Sequence, residues 1–209
     1  MSLILRKFPS DIDPEFVKIF KDRWEKHDGE QLLQTNMWYE RYYILWQYAK
    51  ALSSLEGDFV ECGTYSGSDA KFLAQECKTT LHLIDSFEGL PEIGEYDNPW
   101  YEENKFIANL EDLKHTLKEH ENVKYYKGWI PEILLDVDAK ISLLSLDLDL
   151  YEPTKHCLEY FWDKVIDGGI VICDYHDDYA WGVKKATEEF FKDIRDIEIL
   201  ATGKAIIVK

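Results

Sequence analysis

Several acids stand where apolar runs end. Leu81-His82-Leu83-Ile84 closes on Asp85, Ile141 to Leu146 closes on Asp147 with Asp149 two residues on, and Ile170 to Cys173 closes on Asp174. In an open parallel sheet, the carboxyl ends of the strands face the crevice where ligands bind. Asp147 and Asp174 meet there if their strands are neighbours. Two convergent carboxylates with open positions suit a hard cation such as Mg²⁺, which takes one or two protein carboxylates and keeps several waters. Asp147, Asp149 and His176 are the candidate bases, since a carboxylate or an imidazole within reach of a hydroxyl can take its proton. Plainer roles compete: Asp149 precedes the helix at Pro153-Thr154, Asp177 and Asp178 precede the one at Trp181, all in N-capping positions, and His176 would be an ordinary loop histidine.

A second group has nucleotide chemistry. Phe59-Val60-Glu61-Cys62 reads as a short strand, Gly63-Thr64-Tyr65-Ser66-Gly67 as a turn, and Ser68 to Cys77 as a helix. Glycines at such a turn adopt backbone angles closed to other residues and let a ligand lie against bare amides at a helix start. Asp85, about 20 residues downstream, is placed to accept ribose hydroxyls.

The elements that position these residues alternate from Gly57 onward, with strands near 59–62, 81–84, 123–126, 141–146 and 170–173 and helices near 69–77, 110–120, 131–135, 154–165 and 181–191. Alternation of this kind specifies a parallel sheet covered on both faces. The last segment differs: Ile197 to Leu200, Thr202-Gly203 and Ala205 to Val208 read as a β-hairpin, so the sheet carries a reversed strand. The expected fold is an α/β three-layer sandwich, as a single domain over 1–209, with a mixed sheet unlike that of an ordinary dinucleotide-binding fold. Residues 1–55 form an N-terminal helical cap, with one helix from Pro14 and another from about Met37 to Ser53. That second helix carries Trp38, Tyr39, Tyr42, Tyr43, Trp46 and Tyr48, more rings than one buried stripe needs, which leaves room for a ligand or a homodimer partner. Residues 86–109 are too long for a turn and too aromatic for disorder, and read as a lid.

Composition narrows the partners. Asp and Glu outnumber Lys and Arg 41 to 24, for a net charge of −17, which argues against a nucleic-acid partner, because phosphate binding needs a basic surface. There is no signal peptide and no apolar run near 18 residues, so the expectation is a cytoplasmic protein without a membrane partner. Cys62, Cys77, Cys157 and Cys173 lie within apolar patterns without CxxC spacing and read as reduced core thiols.

Taken together, five segments resemble the successive motifs of the macrocin O-methyltransferase family: Val60 to Gly67, Asp85 to Pro91, Lys127 to Trp129, Asp147 to Thr154 and Gly168 to Tyr175. The resemblance implies a Rossmann-like class I methyltransferase fold, a mostly parallel seven-stranded sheet with an antiparallel C-terminal hairpin strand, and methyl transfer from S-adenosylmethionine to a hydroxyl, often on a sugar. It places Glu61, Gly63, Tyr65 and Gly67 around the methionine part of the donor, Asp85 at the ribose, and Ser86, Phe87, Gly128 and Trp129 at the adenine, with Ser66 and Asp147 also among the donor-binding residues. It also implies Mg²⁺ on Asp147 and on two consecutive aspartates, of which Asp174 matches and Cys173 does not; His176, Asp149 or Asp177 are the residues that could make up the deficit. Two rivals remain: a catalytically silent nucleoside-binding module, and a nicotinamide-dependent oxidoreductase, whose G-x-G-x-x-G fingerprint is missing after Gly63.

Overall fold

The computed structural model describes residues 12–25, 36–175 and 179–209. His176, Asp177 and Asp178 lie outside them. The chain runs α1 (Pro14–Glu25), α2 (Asn36–Leu52), β1 (Asp58–Cys62), α3 (Ser68–Glu76), β2 (Leu81–Asp85), α4 (Leu110–Thr116), β3 (Val123–Lys127), β4 (Ile141–Leu146), α5 (Tyr151–Phe161), β5 (Val165–Asp174), α6 (Trp181–Phe191), β6 (Glu198–Ile199) and β7 (Lys204–Val208). The seven strands form one sheet in the order β3-β2-β1-β4-β5-β7-β6. All pairings are parallel except those of β7, which runs antiparallel to both β5 and β6. The crossover from β3 back past β1 to β4 is the point where strand order reverses, and in open sheets of this kind the ligand crevice lies at such a point.

Alternation along each strand sends successive side chains to opposite faces. On one face Val60, Cys62, Ile84, Leu144, Leu146, Val171, Cys173, Ala205 and Ile207 pack against α5 and α6 through Cys157, Leu158, Phe161, Val183 and Phe191. On the other, Phe59, Leu81, Leu83, Leu143, Ile170, Ile172 and Ile206 pack against Leu45 and Ala49 of α2, Ala70 and Leu73 of α3, and Leu113 of α4. The result is the three-layer sandwich that the sequence predicts. All four cysteines are buried and unbridged. Among the described residues no helix is long and apolar enough to cross a membrane.

Three local features depart from the sequence reading. The α5 helix starts at Tyr151, three residues before the expected point, because Pro153 then falls in the first turn, where its missing N–H breaks no helical bond. Expected helix around 131–135 is a short 3-10 segment, Glu132–Asp136. The β5 strand starts at Val165, inside the expected helix: Ile141 pairs with Val165 and Leu143 with Ile170, and the intervening Gly168-Gly169 bulge reaches the chain end through Lys209 N–H to Gly169 O at 2.9 Å.

Of the α2 rings singled out in the sequence, the side chains of Trp38 and Tyr39 lie outside the described residues, Tyr42 and Trp46 are buried, and Tyr43 and Tyr48 are partly buried. Tyr42 and Trp46 form a cluster with Phe16 and Phe20 of α1 and Phe72 of α3. Phe72 stacks between Phe16 and Tyr42, each at 5.3 Å between centroids. These rings dock α1, and Trp46 Nε1 anchors α2 to α3 by donating to Glu76 at 2.7 Å.

Residues 86–109 form a folded wall beside the crevice. Leu90 and Asn104–Lys105 exchange backbone bonds of 2.8 and 2.9 Å. Asp97, buried, accepts from the N–H of Tyr151 at 2.7 Å and of Gly94 at 3.0 Å, tying the segment to the start of α5.

Candidate functional site

The carboxyl edge of the sheet is asymmetric. On the face under α5 and α6 the apolar rows run to the strand ends, at Cys62, Ile84, Leu146 and Cys173. On the face under α2 and α3 they turn polar at the last step: Phe59 gives way to Glu61, Leu143 to Ser145, Ile172 to Asp174, and, on the reversed strand, Ile206 to Lys204. Glu61, Ser145, Asp174 and Lys204 are all buried. Above them lie Asp147 and Asp149 from the segment after β4, Arg41 from α2 and Asp69 from the first turn of α3.

The donor half of the site is built by backbone. Gly63 (φ +87°) continues β1, its N–H donating to Ile84 O at 2.9 Å. A Cβ there would stand 1.9 Å from the carbonyl oxygen of Asp147, so only glycine lets the β1 and β4 exits pass so closely. Gly67 (φ +80°) ends the turn at the start of α3. Asp85 holds the turn: its carboxylate accepts from Tyr65 N–H at 2.7 Å and from Phe87 N–H at 2.6 Å. Tyr65 and Phe87 both sit in the left-handed region, at φ 46° and 57°. Strained non-glycine residues on both sides of one carboxylate are typical of a binding site rather than of a simple turn. Burial pushes the Asp85 carboxyl up, against the pull of these amides.

Below the turn, Glu61 Oε2 is buried with no hydrogen-bond partner among the described residues. Burial, then the nearby charges of Asp69 and Asp147, hold the Glu61 carboxyl well above its ordinary range. An orphaned carboxylate beside a glycine turn fits an ammonium group, and Asp85 at the neighbouring strand end fits a diol. The residues present therefore fit S-adenosylmethionine. The other positions expected around it divide. Tyr65 and Trp129 are exposed at the rim, 44% and 39%, and Gly128 follows β3, its N–H donating to Asp85 O at 3.0 Å. Ser66 lies within the turn. Phe87 is buried in the core, and the Ser86 hydroxyl is taken up locally, donating to Gly89 O and accepting from Glu88 N–H, both at 3.0 Å.

The acceptor half is built by side chains. Asp149 (φ 63°) caps no helix: its Oδ1 accepts from the hydroxyl of Tyr101 at 2.6 Å, and α5 begins without a side-chain cap. Burial pushes the Asp149 carboxyl up to about 6, with Tyr101 and Arg41 pulling down and Asp174 pushing up. Asp147 is held well above its ordinary range by burial and then by Asp174. Arg41, 4% exposed, donates from Nη2 to Asp174 Oδ1 and from Nη1 to the Tyr179 hydroxyl at 2.8 Å. Lys204, 2% exposed, places Nζ 3.5 Å from Asp69 Oδ2 and 3.7 Å from Asp174 Oδ1. Burial disfavours both cations, but Asp174 and Asp147 hold Arg41 charged, and Asp69 and Asp174 hold Lys204 charged.

The same geometry tests Mg²⁺. Asp147 and Asp174 do come from adjacent strands, but no group of three or more His, Cys, Asp or Glu among the described residues is placed to hold a metal ion. Asp174 is committed to Arg41. Cys173 points to the opposite face, where its thiol lies against Thr187 in the dry core and is pushed up to about 12 by burial. The described donors do not fit a hard divalent cation.

Arg41, Asp69, Lys204, Tyr101 and Tyr179 carry no motif that marks them in the sequence. Only Lys204 has a signal of any kind, a charge opening an otherwise apolar strand opposite Asp174.

Residues 49–201 match the family described as Macrocin-O-methyltransferase (TylF). A Streptomyces olivaceus protein, 8-demethyl-8-(2,3-dimethoxy-alpha-L-rhamnosyl)-tetracenomycin-C 4'-O-methyltransferase, is 29% identical over 142 residues, 59% of this chain and 53% of that protein. Demethyldecarbamoylnovobiocin O-methyltransferase of Streptomyces niveus is 28% identical over 141 residues, 58% of this chain and 53% of that one. The chain thus spans about half the length of these curated relatives. Among solved structures, the calicheamicin methyltransferase CalS11 superposes with a TM-score of 0.74 at 20% identity, covering 100% of this chain and 97% of its own. The O-methyltransferase NovP superposes with a TM-score of 0.69 at 21% identity, covering 82% and 80%. With the family match spanning most of its length, from the end of α2 to beyond β6, the chain belongs to the macrocin O-methyltransferase family.

Proposed function

We propose that this chain is an S-adenosylmethionine-dependent O-methyltransferase whose acceptor is a hydroxyl on a sugar or a related natural-product or polysaccharide. The observation that carries the proposal is the union of two half-sites across the β1 and β4 exits: the glycine turn with the orphaned Glu61 carboxylate on one side, and Asp149 with its Tyr101 partner on the other. A rhamnosyl hydroxyl in the name of the tetracenomycin relative favours a sugar acceptor.

When bound, the donor supplies a methyl group on a sulfonium: the S–CH₃ bond breaks, an O–CH₃ bond forms, and S-adenosylhomocysteine and the hydroxyl proton are released. The chain's own residues do the rest. Glu61 pairs with the donor's ammonium and Asp85 orients its ribose. Asp149 takes the acceptor proton, a contribution of about 10²- to 10⁴-fold for a well-placed base. Its neighbour Tyr101 fixes which way that carboxylate faces, since Oδ1 is occupied and Oδ2 is left for the substrate.

Titration calorimetry with S-adenosylhomocysteine and a turnover screen over sugar acceptors test this. We expect micromolar binding, weakened at least tenfold by Asp85→Asn, and turnover lowered about 10²- to 10⁴-fold by Asp149→Asn. Binding without turnover on any acceptor would favour a silent nucleoside-binding module, and no binding would refute the donor assignment.

A further inference from the structure

The buried cations of the acceptor half have a role that follows from where they sit. We propose that Arg41, positioned by Lys204 and Asp174, takes the place of a divalent cation, so that the charge needed at the acceptor oxygen comes from the chain itself. The inference rests on the methyl-transfer reading above.

Long basic side chains ordinarily bury their stems and keep their charged heads in water. Here two of them are 4% and 2% exposed, and both reach the same oxygen. Asp174 Oδ1 accepts from the Arg41 guanidinium and lies 3.7 Å from Lys204 Nζ. The two cations come from opposite ends of the chain, α2 and β7, and the acids that hold them come from α3 and β5, so four elements converge on one charge cluster. Tyr179 fixes the guanidinium a second time, at 2.8 Å.

A divalent ion ligated by Asp174 would have to displace Arg41 and sit beside Lys204 in a medium where like charges are poorly screened. Cys173, which stands where the family has an aspartate, is on the other face of the sheet. The guanidinium meets the same chemical need by other means. As the acceptor hydroxyl loses its proton to Asp149, negative charge grows on oxygen, and the fixed charge of a preorganised guanidinium stabilises it without reorganising. Asp174 and Tyr179 engage two of the guanidinium nitrogens, which sets its plane before substrate arrives. Lys204 acts through Asp174 and is a positioning residue.

The test is a manganese titration followed by electron paramagnetic resonance on the full chain with S-adenosylhomocysteine present, alongside turnover with and without EDTA. We expect no site tighter than about millimolar and turnover unchanged within about twofold. A single Mn²⁺ site of micromolar affinity, lost in Asp174→Asn, would overturn the proposal, as would a loss of turnover in EDTA that Mg²⁺ restores. Arg41→Ala should lower turnover about 10²-fold with S-adenosylhomocysteine affinity nearly unchanged, and added guanidinium ion should restore part of it. Equal turnover in Arg41→Ala and the parent chain would refute the role. If Arg41→Ala does not fold, the manganese titration of the parent chain still decides the question. Failure to bind S-adenosylhomocysteine would overturn the donor assignment, while the manganese result would stand by itself.

Discussion

Cys173 and Asp174 are neighbours in the chain and belong to different worlds. The thiol faces α5 and α6 among Val171, Ala205 and Ile207, in a layer whose rows end on Cys62, Ile84, Leu146 and Cys173. The carboxylate faces α2 and α3, where the same strands finish on Glu61, Ser145 and Asp174 and the reversed strand opens on Lys204. One face of the sheet is for cohesion, and the other becomes a reaction site in its last row. The difference is one residue of register, because strand side chains alternate with a period of two. Cys173 is therefore no failed metal ligand. Its position asks for a small apolar group, and a motif comparison that treats it as a missing aspartate ignores the direction in which it points.

The sharpest consequence concerns Cys173→Asp, the substitution that restores the family residue. Read as a motif, it should create a metal site. Read by face, it places a carboxylate in a dry layer against Thr187. Burying an unpaired polar group of this kind is among the most destabilising single changes, and we expect a loss on the order of 4 kcal/mol by urea denaturation, with no gain in Mn²⁺ affinity. A stable variant that binds manganese would show that the end of β5 can turn its side chain to the other face.

Gly63→Ala probes the point where the two faces meet the crevice. The added methyl would fall 1.9 Å from the carbonyl oxygen of Asp147 and 2.6 Å from its carbon, with the backbone already at φ +87°. Neither atom can swing away, since both are main chain. Strain and overlap together should remove about 3 kcal/mol of stability and abolish S-adenosylhomocysteine binding. Gly168→Ala is the control: its φ is +78° but nothing lies within 4 Å, so only the conformational strain of about 1 kcal/mol remains and cofactor affinity should not change.

The same division separates what is legible in the sequence from what is not. The donor half is written in contiguous residues, a strand, a glycine turn and an acid at the next strand end, so its chemistry is legible in Glu61 to Gly67 and Asp85. The sheet is equally legible, because periodicity is local and the terminal hairpin announces the reversed strand. The acceptor half is assembled from α2, α3, β7 and the segment 86–109. A lone Arg41 within an aromatic helix, or Tyr101 within a long loop, has no local pattern to mark it. Asp149 stands out in the sequence as a candidate base, but its cap-like position before α5 competes there with a partner 48 residues away.

Tyr101 allows the smallest and most specific test of that long-range assembly. Its ring is buried, and its hydroxyl donates to Asp149 Oδ1 at 2.6 Å, so Tyr101→Phe removes one oxygen and leaves the packing with Leu90 and Leu150 in place. A hydrogen bond to a charged group is worth about 1.5–3 kcal/mol, and the variant should lose an amount at the lower end of that range, since Asp149 is half-buried and water can replace the hydroxyl. The kinetic effect separates orientation from folding. Without its partner on Oδ1, the carboxylate no longer presents Oδ2 in a fixed direction, so kcat should fall about tenfold, within what a general base contributes, while KM for the donor stays unchanged. An equal fall in donor affinity would mean that Tyr101 supports the glycine turn instead, and that the two halves of the site are less separate than their construction implies.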